Sequence, residues 1–201
     1  MTSTTATGLA PETGQQLTPL EVEQARLYLF QTRDGMIGAT KGVTEAQWNF
    51  KPASNGWSIA EILEHTVMVQ ERVLGPIWEQ LMQTPLTAVD PNYKQIDEFT
   101  IGRLPNRLIK FPGPSILHPT GRSIPAEEMA RLAANCDRLT DHLVSTADLR
   151  HHQIEALPLK ALSNGTYNYM DAYQWLLACA AHTERHTKQI LEVKADPNFP
   201  S

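Results

Sequence analysis

The sequence has little positive charge. Its 17 Lys and Arg are outnumbered by 22 Asp and Glu, which gives a formal net charge of -5. Proteins that bind nucleic acids usually concentrate basic side chains to neutralise phosphates, so DNA and RNA are not expected partners. Cysteine is also scarce, with only Cys136 and Cys179 present. Two thiols cannot form the dense disulfide framework of a small secreted domain, and we expect a cytoplasmic protein.

Long apolar runs and several common motifs are absent as well. No run approaches the roughly 18 apolar residues of a membrane-spanning helix, so no membrane partner is expected. The first 17 residues contain neither Lys nor Arg, unlike a targeting peptide, and we interpret 1–17 as a frayed tail before a single domain at 18–201. The lack of GxSxG, P-loop, GxGxxG and CxxC patterns weakens the serine-hydrolase, nucleotide-binding and dithiol-redox classes.

Two helix starts stand out in the first third of the chain. Thr18, Pro19 and Glu21 combine a cap, a proline at the first helical position and a capping-box glutamate, and predict a helix to about residue 39. Its expected core face is an apolar line at separations of seven, three and seven, formed by Leu20, Leu27, Phe30 and Ile37. Ser58 and Glu61 form a second capping box, which predicts a helix that continues to Gly75-Pro76 or beyond as a kinked turn.

Two further helices are predicted in the second half of the chain. A third follows Pro125, with apolar side chains at alternating spacings of three and four: Met129, Leu132, Cys136, Leu139 and Leu143. A fourth shows the same spacing: Ala172, Trp175, Cys179, His182, His186, Ile190 and Val193. The intervening segment 85–123 carries six prolines and favours either short helical turns or a covering loop.

These elements predict an all-α protein. Four amphipathic helices without a convincing strand pair indicate a four-helix bundle. The proline-rich segment makes one long crossover between the second and third helices, so the connectivity is not simple up-down-up-down.

The most informative pattern is a pair of histidines on the fourth helix. His182 and His186 occupy positions where an apolar residue is expected, and residues four apart lie on one helical face, so both imidazoles can reach one ion. His65 lies between Ile62 and Val69 at separations of three and four and should also face the interior. Three histidines predict a divalent-metal site with an open fourth position, as in catalytic zinc sites.

Other residues near this pattern have simpler interpretations. Cys179 precedes His182 by three residues and could approach the ion, but a packing role is favoured because buried cysteines behave as small apolar residues. Glu61 could orient an imidazole or act as a catalytic base, although its capping role already accounts for it. The remaining histidines are interpreted as surface or hydrogen-bonded residues: His118, His142, His151 and His152.

At these residues the chain resembles the DinB/YfiT-like family of metalloenzymes. The resemblance rests on two motifs, 57–65 (WSIAEILEH) and 182–190 (HTERHTKQI), and spans about 18–195. It implies a four-helix bundle with a histidine-bound divalent metal, often zinc or nickel, and frequently a homodimer. Relatives include transferases that act with low-molecular-weight thiols and a thiol-dependent maleylpyruvate isomerase. The long proline-rich segment departs from the simplest family pattern.

The resemblance and the residues together favour a metalloenzyme with an open three-histidine site and a small-molecule substrate. The reaction is expected to be either thiol-dependent transfer or hydrolysis. A noncatalytic stress-response or binding bundle, whose metal is structural or incidental, is the alternative. A third hypothesis concerns segment 85–123, whose length and prolines could make it a lid over the metal.

Overall fold

A computed structural model describes residues 16–52, 56–109 and 115–201. Most of the predicted tail, 1–15, lies outside this range. The described chain is mostly helical, as expected. Its helices are α1 (Pro19–Thr40), α2 (Glu45–Asn49), α3 (Ile59–Arg72), α4 (Trp78–Gln83), α5 (Tyr93–Arg103), α6 (Pro125–Ser145), α7 (Leu157–Leu162) and α8 (Ala172–Lys194). Within these ranges, no helix is both long and apolar enough to cross a bilayer.

Capping boxes mark the starts of α1, α3 and α8. The side chains of Thr18 and Ser58 accept from the amides of Glu21 and Glu61, and each glutamate accepts from the amide of its cap, which confirms both predicted capping boxes. Helix α8 begins in the same way at Asp171. The orphan amides of these first turns are therefore satisfied before tertiary packing contributes.

The predicted kink lies beyond α3. Its α-helical part ends at Arg72, and a π-helical turn, Val73–Ile77, leads directly into α4. Gly75 has non-helical backbone angles there, and Pro76 cannot donate to the helical ladder. The segment 85–123 contains α5 and a short 3-10 turn, Ser115–Leu117, so the expectation of short helical pieces is confirmed.

The prediction of no strand pair was wrong. Strands β1 (Gln153–Glu155) and β2 (Tyr169–Asp171) form a small antiparallel ladder in which Ile154 lies opposite Met170. Three residues are too few for an alternating apolar pattern to stand out, and the pairing depends on a partner on the far side of α7. The ladder leads directly into the first turn of α8.

The predicted core face of α1 was also wrong. Leu20, Leu27 and Ile37 are 65%, 43% and 40% exposed, and only Phe30 of the predicted line is partly buried against the core. The buried line lies roughly on the opposite side of the helix: Ala25, Leu29, Thr32, Met36 and Ala39. It has the same spacing of three and four residues, but alanine and threonine make it less apolar than the line that faces outward. Close packing of α1 against α8 and α6 selects it.

The four long helices enclose two apolar clusters. Helix α1 packs against α6 and α8, and α3 packs against the same two helices. One cluster includes Leu29, Leu139 and Leu176, and the other includes Met36, Leu63, Leu132 and Ile190. Each long helix also buries polar side chains, among them Thr32, Gln70, Asn135 and Thr183. Two of these are paired across α3 and α8, where Gln70 Nε2 donates to Thr183 Oγ1 at 3.1 Å.

A buried arginine joins α1, α5 and the first turn of α8. Arg150 is 2% exposed and donates to Asp97 on α5, Glu21 on α1 and Asp171, the cap of α8. Its guanidinium carbon lies 4.6 and 4.2 Å from the ring centroids of Tyr93 and Tyr173. One cation thus compensates three carboxylates and fixes three chain segments.

Replacing Arg150 with Met should destabilise the protein by about 3–5 kcal/mol, because it leaves buried carboxylates without a counter-charge. Urea unfolding at pH 7 measures the effect. The matched control is Arg26→Met, which removes an exposed cation paired with Glu23 and should leave the unfolding midpoint nearly unchanged. Equal midpoints for the two variants would contradict a structural role of the Arg150 network.

Candidate metal centre

The described part of the chain brings His65, His182 and His186 together. One ring nitrogen of each lies within 4.8 Å of the other two. The ring centroid of His65 lies 5.1 Å from that of His182 and 4.8 Å from that of His186. Nitrogens about 2.0–2.1 Å from one zinc ion lie at most about 4.2 Å apart, so the rings need to close only slightly to share an ion. The arrangement is therefore a cluster that could hold a metal, as the sequence pattern predicted.

Helical geometry explains the convergence. His182 and His186 are one turn apart on α8, and their Nε2 atoms are 3.1 Å apart. His65 comes from α3, which packs against α8. His65 and His186 are 6% and 5% exposed. The cluster thus lies inside the contact between two long helices rather than at an exposed helix end.

Two of the imidazoles have a fixed tautomer. The Nδ1 atom of His65 lies 2.6 Å from the carbonyl oxygen of Leu117, and Nδ1 of His186 lies 2.8 Å from Oε1 of Gln189. Both oxygens only accept, so each Nδ1 carries the proton and each Nε2 keeps its lone pair. This is how ligating histidines are usually oriented.

His182 has a different environment. Its Nδ1 is buried without a hydrogen-bond partner among the described residues. Because His186 Nε2 carries a lone pair, the 3.1 Å contact between the two Nε2 atoms requires a proton from His182 in the metal-free protein. A cation between these nitrogens would take the place of that proton. This donor chemistry fits a divalent metal bound by neutral imidazoles.

The electrostatics also favour neutral rings. Burial lowers the pKa of His65, and burial together with the neighbouring imidazoles lowers the pKa of His182 and His186 well below the usual value. A neutral imidazole is the form that binds a metal ion. The cluster is therefore ready to accept a cation at neutral pH.

Trp57 forms an aromatic wall of the cluster. Its ring centroid lies 4.8 Å from that of His65 and 6.4 Å from that of His186. The ring centroid of the exposed His118 also lies near Trp57, 6.0 Å away. The sequence interpretation gave His118 an ordinary surface or hydrogen-bonded role, and the position of Trp57 and His118 beside the cluster was not predicted.

The other candidates lie outside the cluster of ring nitrogens. Glu61 accepts from the Ser58 amide at 2.8 Å and from Lys51 Nζ at 2.7 Å, as its capping role requires. Its catalytic role stays a prediction. Cys179 is buried, which raises the pKa of its thiol to about 12. It packs within the first apolar cluster, in keeping with the favoured interpretation.

The remaining histidines make other contacts. His151 and His152 lie within hydrogen-bond distance of the carbonyl oxygens of Thr87 and Leu81. His142 stacks on Trp78, with 4.1 Å between the ring centroids. The hydrogen-bonded role predicted for His151 and His152 is therefore confirmed, whereas the stacking of His142 was not predicted.

Gln189 and Leu117 were missed for different reasons. Gln189 follows His186 by three residues on the same helix, so helical spacing alone could have placed the two side chains together. Leu117 contributes a backbone carbonyl from a segment 52 residues after His65. No residue type marks such a carbonyl in a sequence.

Comparisons with known proteins agree with this description. A family model described as the DinB superfamily matches residues 28–190, a range that includes all three histidines. The uncharacterized protein YuaE of Bacillus subtilis (strain 168) is 25% identical over 155 residues, which cover 77% of this chain and 87% of that protein. No solved structure gives a significant match.

The metal-free protein should lose stability as the pH falls below about 6.5. The folded-state pKa of each buried histidine is lowered, so the unfolded chain binds more protons in this range, and the stability is complete only above the unfolded pKa of about 6.5. Each histidine can contribute up to about 1.4 kcal/mol per pH unit. Urea unfolding at pH 7.5, 6.5 and 5.5 after chelator treatment measures the slope.

A His182→Leu variant provides the control for this pH dependence. It removes one buried titrating group and should have a shallower slope between pH 6.5 and 5.5, while carboxylates contribute equally to both proteins. Identical slopes would show that His182 is not buried in its neutral form.

Proposed function

Because the chain belongs to the DinB superfamily, we propose that it is a metalloenzyme in which His65, His182 and His186 hold one divalent ion. The observation that carries the proposal is the convergence of three imidazoles, those of His65 and His186 buried and that of His182 partly buried, whose lowered pKa values keep them neutral. Burying them side by side without a shared ligand is costly, because each ring retains polar atoms that water no longer satisfies. Zinc and nickel are the ions we propose.

The reaction we propose is transfer of a low-molecular-weight thiol to an electrophile, with hydrolysis as the second version. A bound divalent ion supplies Lewis acidity, which lowers the pKa of a thiol or water at an open fourth position. The chain's own residues fix the ligand rings through Leu117 and Gln189, and Trp57 and the surrounding helices exclude water. Family membership supports both versions.

A noncatalytic bundle is the alternative. One observation favours it: Glu61, the carboxylate proposed as a base, is occupied by Ser58 and Lys51. In this version the three histidines hold a structural or incidental metal, and the protein acts through binding in a stress response. A fourth ligand from the protein would then complete the coordination.

The proposal includes an architecture and partners. We propose that the four long helices, α1, α3, α6 and α8, form the four-helix bundle of the family, with the crossover running from α3 to α6. A cytoplasmic homodimer belongs to the proposal, supported by exposed apolar side chains on the outward face of α1. A small-molecule substrate is proposed, and neither nucleic acid nor membrane.

Purified wild-type protein should bind about one equivalent of Zn²⁺, and His186→Ala should weaken the affinity more than about 100-fold. Loss of a direct ligand should exceed the 10- to 100-fold effects typical of residues that only orient ligands. Competition with a chromophoric chelator measures both affinities. His151→Ala is the matched control, since it removes an imidazole that lies against the Thr87 carbonyl, outside both the cluster and residues 115–123, and should retain the wild-type affinity. A wild-type protein that takes up no divalent metal would refute the site.

Metal-loaded wild-type protein should accelerate conjugation of a thiol with an electrophile. Glutathione, bacillithiol and mycothiol are each tested with a chlorobimane, and hydrolysis of a nitrophenyl ester is measured in parallel. His186→Ala should lose the metal-dependent rate because the ion is no longer held in place. If no thiol is conjugated while the ester is cleaved, hydrolysis replaces transfer. If neither rate depends on metal and spectroscopy shows four protein ligands, the noncatalytic alternative stands.

A further inference from the structure

A segment of the proline-rich crossover lies directly against the histidine cluster. This segment, residues 115–123, is called the strap here. It begins with the 3-10 turn Ser115–Leu117 and ends just before α6. The Leu117 carbonyl accepts from His65 Nδ1 at 2.6 Å. The strap therefore contacts a proposed metal ligand with its backbone.

The strap is held by the residue next to that ligand. Glu64 is 5% exposed. Its Oε1 accepts from the amide and hydroxyl of Thr120 at 2.9 and 2.7 Å, and its Oε2 accepts from the amide of Gly121 at 3.0 Å. Hydrogen bonds to an ionised carboxylate are stronger than neutral ones. This makes Glu64 the strongest polar anchor of the strap.

The backbone of the strap is shaped for this contact. Gly121 has a φ of +68°, a left-handed conformation that side chains disfavour, and a Cβ at this position would lie 3.5 Å from Glu61 Oε1. Glycine therefore allows the Gly121 amide to turn toward Glu64 beside a second glutamate. Consecutive residues of α3, Glu64 and His65, then hold the strap at two points.

We propose that Glu64 is a positioning residue that couples the strap to the metal centre. By anchoring Thr120 and Gly121, Glu64 holds the Leu117 carbonyl where it fixes the His65 ring with Nε2 facing the ion. This inference rests on the proposed metal site and goes beyond it by assigning a role to the strap. It also makes the lid hypothesis specific. In this form, the strap covers the site and orients His65, the metal ligand that it contacts.

Thermodynamic linkage makes the coupling reciprocal. If docking of the strap strengthens ion binding by a given factor, ion binding must strengthen docking of the strap by the same factor. The amide hydrogens of Thr120 and Gly121 report this docking directly, because they are the donors to Glu64. Zn²⁺ should therefore slow their exchange with deuterated solvent.

The test combines Zn²⁺ affinity with amide exchange in the full-length protein. Glu64→Gln keeps the size of the side chain but replaces one acceptor with an amide nitrogen that cannot accept. Loss of a residue that orients a ligand typically weakens metal binding about 10- to 100-fold. We expect Zn²⁺ affinity to fall about 10-fold and the Zn²⁺-dependent protection of Thr120 and Gly121 to fall by a similar factor.

Two further variants keep the test decisive. Thr120→Val removes a single hydroxyl donor from an exposed residue and should weaken Zn²⁺ binding about 2- to 5-fold even if Glu64→Gln folds poorly. Glu71→Gln is the matched control: it changes a glutamate two turns later on α3, which pairs with Arg131 and does not contact the strap. Its affinity should equal that of the wild type.

The outcomes separate this inference from the proposed function. If the wild type binds Zn²⁺ and both strap variants bind it equally well, the coupling is refuted and the metal site stands. The same holds if Zn²⁺ leaves the exchange of the strap amides unchanged. If the wild type binds Zn²⁺ and shows the coupling but catalyses no reaction, the enzyme proposal fails and the role of Glu64 stands.

Discussion

The packing of three adjacent imidazoles between helices, two of them buried and the third partly buried, is the physical constraint on which the site depends. Each ring has two nitrogens, and outside water each nitrogen needs a donor, an acceptor or a cation. For His65 and His186 an oxygen of the protein accepts a hydrogen bond from Nδ1, so the lone pairs on both Nε2 atoms are free to face a common centre. For His182 the protein provides no described partner at Nδ1. The cluster is thus a polar site enclosed by packed helices, and a shared cation would best satisfy the lone pairs of its ring nitrogens.

The surrounding fold provides rigidity at several levels. Capping boxes begin α1, α3 and α8. Helices α3 and α8 contact each other and both contact α6, and the second apolar cluster lies among them beside the histidines. At the far end, Arg150 joins α1, α5 and the start of α8 through three carboxylates. Because α8 is held at its first turn and packed along its length, its two histidines have fixed positions relative to His65.

The crossover between α3 and α6 has a structural role that its composition does not predict. Prolines interrupt regular structure there, and the structure uses the irregular backbone to bring a carbonyl and two amides to Glu64 and His65. Regular helices cannot offer such groups from their interior because their own hydrogen bonds occupy them. An irregular segment is therefore a suitable element to cover and orient a site between two helices.

The sequence by itself determined the local features. Caps and alternating spacings of three and four residues located the long helices to within a few residues, and the HxxxH spacing placed His182 and His186 on one face, because these features depend on neighbours within a turn. The core face of α1, the short strands and the contacts of Glu64 and Leu117 were decided only by tertiary structure. They depend on partners at least 14 residues away along the chain, and which of two similar helical lines is buried depends on the surface against which it packs.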